Sequence, residues 1–211
     1  MTNKTCARKR TALAAYAHFA GLQLELPEIR PEQRLPEALS EVEAKAVLEA
    51  SRQTRNGDRD RLMVELMLRT GLRAAELLAL TTLDLVEDDD ILFIRVRQGK
   101  GNKERRVPVI NKALVRPLQK YAKAIPPGEK LFPMSSRNLR KLVARIGQQA
   151  GLAKRLYPHL LRHTAATLYL RKGANIETVR RTLGHASLAT TQKYLALTDE
   201  DVARDLAKAE W

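Results

Sequence analysis

Four short stretches carry side chains suited to handling a phosphate. In "TGLRAAEL", Arg73 follows Gly71 and opens a helical segment, with Glu76 three residues on. A helix start offers free N–H groups and the positive end of the helix dipole, which favour an anion, and Glu76 can hold the Arg73 side chain in place. In "QGKGNKERR", Lys100 lies between two glycines that let the backbone approach a ligand closely. A cation there can neutralise a phosphate or protonate a leaving oxygen. Lys103, Arg105 and Arg106 suit contacts to a sugar-phosphate backbone, without sequence preference. In "PHLLRH", His159 and Arg162 share a helix face at three-residue spacing, and His163 is four residues from His159. The arginine fork matches two phosphate oxygens. The two histidines also look like half of a zinc helix, but no Glu lies between them and no third ligand is evident, so no metal is expected.

In "LGHASLATTQKYLAL", His185 and Tyr194 stand nine residues apart. A phenol is a poor nucleophile at neutral pH because its pKa is about 10. It becomes useful where cations stabilise both the phenolate and a pentavalent phosphate. Each stretch also has a plainer reading on its own: an exposed helix salt bridge, a basic turn, a structural histidine, a core tyrosine.

The elements that must position these groups are readable around them. Residues 11–24 read as a short helix, followed by a linker in which Pro27, Pro31 and Pro36 remove backbone donors. Ser40 and Glu43 form the reciprocal capping pair that starts a helix. A second helix is expected from about Asp58 to Thr70, with Met63, Leu66 and Met67 on one face and Gly71 at its end, and a third begins at once with "LRAAELLAL". "ILFIRVRQ" and "KERRVPVI" alternate apolar and polar residues on either side of "GKGN", a hairpin signal. Helical patterns resume near Asn111 and run to the end. Pro158 suits a first helical position, Gly173 and Gly184 are helix stops, and Ser187 can cap the helix carrying Tyr194. The expected fold class is mostly α with a small antiparallel β-sheet (α+β). Residues 1–35 are expected to hold a short basic helix and Pro-rich linker, and residues 36–211 the main domain.

Composition narrows the partner. The 211 residues are 44% hydrophobic, enough for a real core, with no apolar run near the roughly 18 residues of a membrane span. Lys plus Arg number 38 against 24 Asp plus Glu, a net +14 that favours polyanions, nucleic acid foremost. Cys6 is the only cysteine, so no internal disulfide can form and a reducing, cytoplasmic setting fits. Lys4, Arg8, Lys9 and Arg10 before an apolar stretch imitate a targeting signal. His18 and Gln23 interrupt that stretch, so a basic helix touching DNA or a partner is the reading preferred.

Taken in order, "TGLR…E", "GKGNKERR.P", "H.LRH" and "LGH….TT..Y" resemble the catalytic domain of the tyrosine recombinases, the phage-integrase and Xer family, over roughly Leu35 to Leu197. The resemblance implies that Arg73 and Arg162 grip a scissile phosphate, Lys100 protonates the leaving 5′ oxygen, His159 and His185 are paired imidazoles, and Tyr194 is the nucleophile. Glu76 and His163 are then supporting residues. It further implies a site-specific recombinase that cleaves and rejoins double-stranded DNA through a 3′-phosphotyrosyl link, with no cofactor. A homotetramer on DNA, formed from monomers, is the expected assembly, with no membrane partner. Two alternatives share the scaffold: a type IB topoisomerase-like nicking-closing enzyme, which usually has lysine where His159 stands, and a non-catalytic DNA-binding regulator. Members of the family usually carry a sizeable core-binding domain before the catalytic one. Here only about 35 residues precede it, so the expectation is weaker, salt-sensitive DNA binding.

Overall fold

The computed structural model describes residues 3–24, 27, 37–97 and 104–184. The chain divides into two compact units, Met1–Leu35 and Pro36–Trp211. The first unit contains α1, Asn3–Phe19. This helix begins well ahead of residue 11, because the Ala, Lys and Arg residues of its first half are themselves strong helix formers.

The second unit opens with α2, Glu41–Arg52, started as expected by Ser40 and Glu43: the Ser40 hydroxyl accepts from the Glu43 N–H while the Glu43 carboxylate accepts from the Ser40 N–H. The helix α3, Gly57–Thr70, ends at Gly71, whose φ of 65° is left-handed. A short α4, Ala74–Ala79, follows, then a single 3₁₀ turn at Thr82–Asp84. Strands β1, Leu85–Asp88, β2, Ile91–Val96, and β3, Arg105–Val109, form one antiparallel sheet in that order.

Two of these strands are the ones the alternating pattern marks. β1 is an addition: its sequence "LVED" is too short to alternate visibly, and it pairs Leu85 with Ile94 only because Asp89 and Asp90 take positive φ in the connecting turn. Asp tolerates that region better than most residues. On β2 and β3 the register sets Leu92 against Val109 and Ile94 against Val107, which puts all four on one buried face. Pro108 lies on the edge strand β3, where a missing donor is tolerated.

Four further helices complete the described residues: α5, Lys112–Lys123, α6, Ser136–Gln149, α7, Pro158–Arg171, and α8, Ile176–Leu183. One hydrophobic core joins α2, α3 and the sheet to α5, α6 and the start of α7, with Met63, Met67, Ile94, Leu118, Phe132, Ile146 and Leu160 fully enclosed. Burying each such side chain contributes about 1.5–3 kcal/mol relative to leaving it in water. A smaller cluster of Ala166, Val179 and Leu183 packs α8 on α7. The loop before α2 is tied to α7 by a buried bond from the Leu39 N–H to the Thr164 hydroxyl. No helix among the described residues is long and apolar enough to cross a membrane.

Candidate active site

The last turn of α8 is the meeting point. A helix leaves its final carbonyls without intrahelical donors, at the negative end of its dipole. Here three arginines from three separate segments use them. Arg105 donates from Nε to the Thr182 carbonyl at 3.0 Å, Arg162 to the Leu183 carbonyl at 2.8 Å, and Arg73 to the Gly184 carbonyl at 3.1 Å. Three consecutive carbonyls therefore gather three guanidiniums. Gly184 makes the corner, with a left-handed φ of 66° and so little room that an added Cβ would lie 3.1 Å from the Arg105 side chain.

Glu76 binds the group from the other side. Its carboxylate accepts from the Arg73 N–H at 2.8 Å and the Arg73 guanidinium at 2.7 Å, and receives both terminal nitrogens of Arg105, at 3.0 and 2.8 Å. Burial pushes this carboxyl up, but the Arg105 and Arg73 donors outweigh it and hold it at about 2. Glu76 is thus an anion fixed between two arginines, and the sequence-based pairing of Arg73 with Glu76 is seen directly. Arg73 is the residue capping α4, just outside its first turn.

The two arginines read as phosphate-gripping differ sharply in access. The Arg73 side chain is 43% exposed, so its guanidinium is held from behind and still faces outward. Arg162 is 1% exposed on α7 and is fixed by the Gly71 and Leu183 carbonyls, at 2.6 and 2.8 Å. His159 sits exposed in the first turn of α7, which Pro158 opens as expected. The half-buried His163 ring meets it edge-on, 4.2 Å between centroids. Burial, together with His159 and Arg162 nearby, holds His163 down at about 4, so it is neutral at neutral pH.

The basic residues beyond the hairpin have partners that their sequence position does not suggest. Arg105, read as a backbone-contacting residue, has a side chain only 14% exposed and committed to Glu76 and Thr182. Arg106 stacks 4.2 Å over the Phe93 ring and pairs with Asp88, leaving it half exposed on the sheet. Sequence reasoning misses the Arg105–Glu76 pair because its members are 29 positions apart. Lys100, Lys103, His185 and Tyr194, with the expected Ser187 cap, lie outside the described residues. Among the described residues no group of three or more His, Cys, Asp or Glu side chains could hold a metal ion.

The site thus combines a buried arginine three residues after an exposed histidine with a second arginine backed by a carboxylate, in a mostly helical domain with one three-stranded sheet. Residues 37–201 match the phage integrase family. The chain is similar to the tyrosine recombinase XerA of Thermococcus kodakarensis, 37% identical over 212 residues that span 94% of this chain and 73% of that protein. Among solved structures, a XerA recombinase is 31% identical with a TM-score of 0.71, covering 95% of this chain and 74% of the other. A XerH site-specific recombinase, bound to difH substrate in a pre-cleavage complex, is 28% identical with a TM-score of 0.70, covering 86% of this chain and 55% of the other. The chain belongs to the phage integrase family of tyrosine recombinases and has the fold of their catalytic domain. It spans 60% of the length of one curated XerA relative and 73% of another.

Proposed function

We propose that the chain is the catalytic part of a tyrosine-type site-specific DNA recombinase. The observation that carries this is the anchoring of Arg162 and Arg73 on the adjacent carbonyls of Leu183 and Gly184, directly before His185 and ten residues before Tyr194 in sequence. Two guanidiniums fixed at that corner suit a phosphodiester within reach of a tyrosine on the following segment. Preorganised donors of this kind stabilise charge as it develops and do not have to reorganise during reaction.

In this reading the Tyr194 oxygen attacks the scissile phosphorus and loses its proton to solvent. A phosphotyrosyl bond to the 3′ phosphate forms as the bond to the 5′ oxygen breaks, and Lys100 gives that oxygen a proton. A 5′-hydroxyl of a second duplex then attacks the phosphotyrosyl link and releases Tyr194. The bond energy stays in the covalent link, so the exchange needs no nucleotide cofactor. Arg73 and Arg162 hold the phosphate oxygens, His159 and His185 flank it, and Glu76 and His163 support the arginines and His159.

Double-stranded DNA is the partner that the surface suits. An open groove of about 640 Å³ on α6 is lined by Arg137, Arg140, Lys141, Arg145 and Arg155 with no acidic residue. The similar XerH site-specific recombinase, bound to its difH substrate in a pre-cleavage complex, supports the same kind of partner here. Assembly as a homotetramer on DNA, and a cytoplasmic site of action, belong to this reading. Residues 1–35 as an appendage and 36–211 as the catalytic domain follow the division into two units.

Footprinting on DNA flanking the gene identifies the site, and a plasmid carrying two copies then tests the reaction. Exchange between the two sites is the expected product. Relaxation of supercoils with no exchanged product would point to a nicking-closing enzyme, and binding with neither product to a regulator.

A further inference from the structure

We infer that Arg105 is a positioning residue for the reaction, holding Glu76, and through it Arg73, against the end of α8. The inference rests on the recombinase reading above. Its observations are the four-point seat of this side chain: two bonds to the Glu76 carboxylate, one to the Thr182 carbonyl, and close packing on Gly184. Arg73 shares the Glu76 carboxylate and bonds the next carbonyl but one. The Arg105 side chain is 14% exposed, and Nε and both terminal nitrogens already donate within this clamp, which takes three of its five N–H donors.

Its place in the chain adds to the case. Arg105 begins β3, with only Glu104 between it and the segment 98–103 that carries Lys100. On the other side of that segment Arg97 donates to Asp84 at 2.5 Å. Both flanks of the Lys100 segment are thus pinned to buried carboxylates, Asp84 in the 3₁₀ turn and Glu76 in α4. Arg105 alone of the two flanking arginines also reaches α8, so it joins the Lys100 flank, the Arg73 support and the corner before His185.

The test compares wild type with Arg105→Gln, Glu76→Gln and the double variant on a nicked duplex containing the footprinted site. Covalent capture is timed at saturating protein, below the temperature at which any variant begins to melt, and affinity for the same duplex is measured over a range of salt. The expected result for Arg105→Gln is a saturated capture rate lower by on the order of 10–100-fold, with affinity and salt slope unchanged. Added to Glu76→Gln, it should cost little more, because both changes break one clamp. Weakened affinity with a salt slope smaller by about one and an intact saturated rate would make Arg105 an ordinary phosphate-binding residue and overturn the inference, as would single losses that multiply in the double variant. If wild type captures no DNA, the recombinase reading is what has failed. The clamp is then judged on unfolding midpoints of the same variants, where additive losses would overturn it.

Discussion

The Arg162 guanidinium donates to the Gly71 carbonyl, 91 positions earlier in the chain, at 2.6 Å, and with its other terminal nitrogen to the Leu183 carbonyl. One fully buried cation therefore joins the ends of α3 and α8. Lysine cannot supply both donors in that geometry. Arg162→Lys should destabilise the domain by about 1–3 kcal/mol through an unsatisfied buried carbonyl, measured by denaturant unfolding. It should also slow DNA cleavage by on the order of 10²–10³. Wild-type unfolding and cleavage in this variant would contradict the bridging role.

Gly71 is required twice over at that junction. Its φ is 65°, and a Cβ built there would lie 2.3 Å from the Leu183 Cδ2. Gly71→Ala should cost about 1–3 kcal/mol in unfolding free energy. Combined with Leu183→Ala, the loss should be smaller than the sum of the two singles, because the shortened side chain removes the collision. Strictly additive losses would mean the two residues do not meet.

Acid should unfold the domain in two separable windows. His163 is held down at about 4 against an ordinary 6.5, so its neutral form favours the fold; that contribution is complete above pH 6.5 and is lost as pH falls toward 4. Glu76 is held at about 2 against 4.5, so its contribution is complete above pH 4.5 and is lost as pH falls toward 2. His163→Gln should flatten the stability curve in the upper window and Glu76→Gln in the lower. A His163→Gln curve parallel to wild type between pH 6.5 and 4 would contradict the first assignment.

Local signals in the sequence are legible and distant ones are not. The Ser40–Glu43 cap, the stops at Gly71 and Gly184, and Pro158 at a helix start each depend on residues within a few positions, and all stand in the structure. The Arg73–Glu76 pair is equally local. β1 escapes detection because four residues give too little alternation, and the polar first half of α1 carries no apolar periodicity to mark its start. The partners of Arg105, and the carbonyls that seat Arg162, come from segments far apart in the chain, which no spacing rule connects. That is why Arg105 reads as a surface residue in the sequence.

The groove on α6 should matter for binding more than for the chemical step. Arg140→Glu combined with Arg145→Glu should weaken duplex binding and lower the dependence of log affinity on log salt by roughly one for each phosphate no longer neutralised. Equilibrium binding over a salt series reads this directly. An unchanged salt slope would remove the α6 groove from the DNA surface.

Covalent capture on a nicked duplex is the most direct test of the central claim. Wild type should become attached to the 3′ phosphate of the cleaved strand, and peptide mapping of the adduct should place the DNA on Tyr194. Tyr194→Phe should bind the same duplex and yield no adduct. An adduct formed by Tyr194→Phe, or mapped to another residue in wild type, would contradict the account.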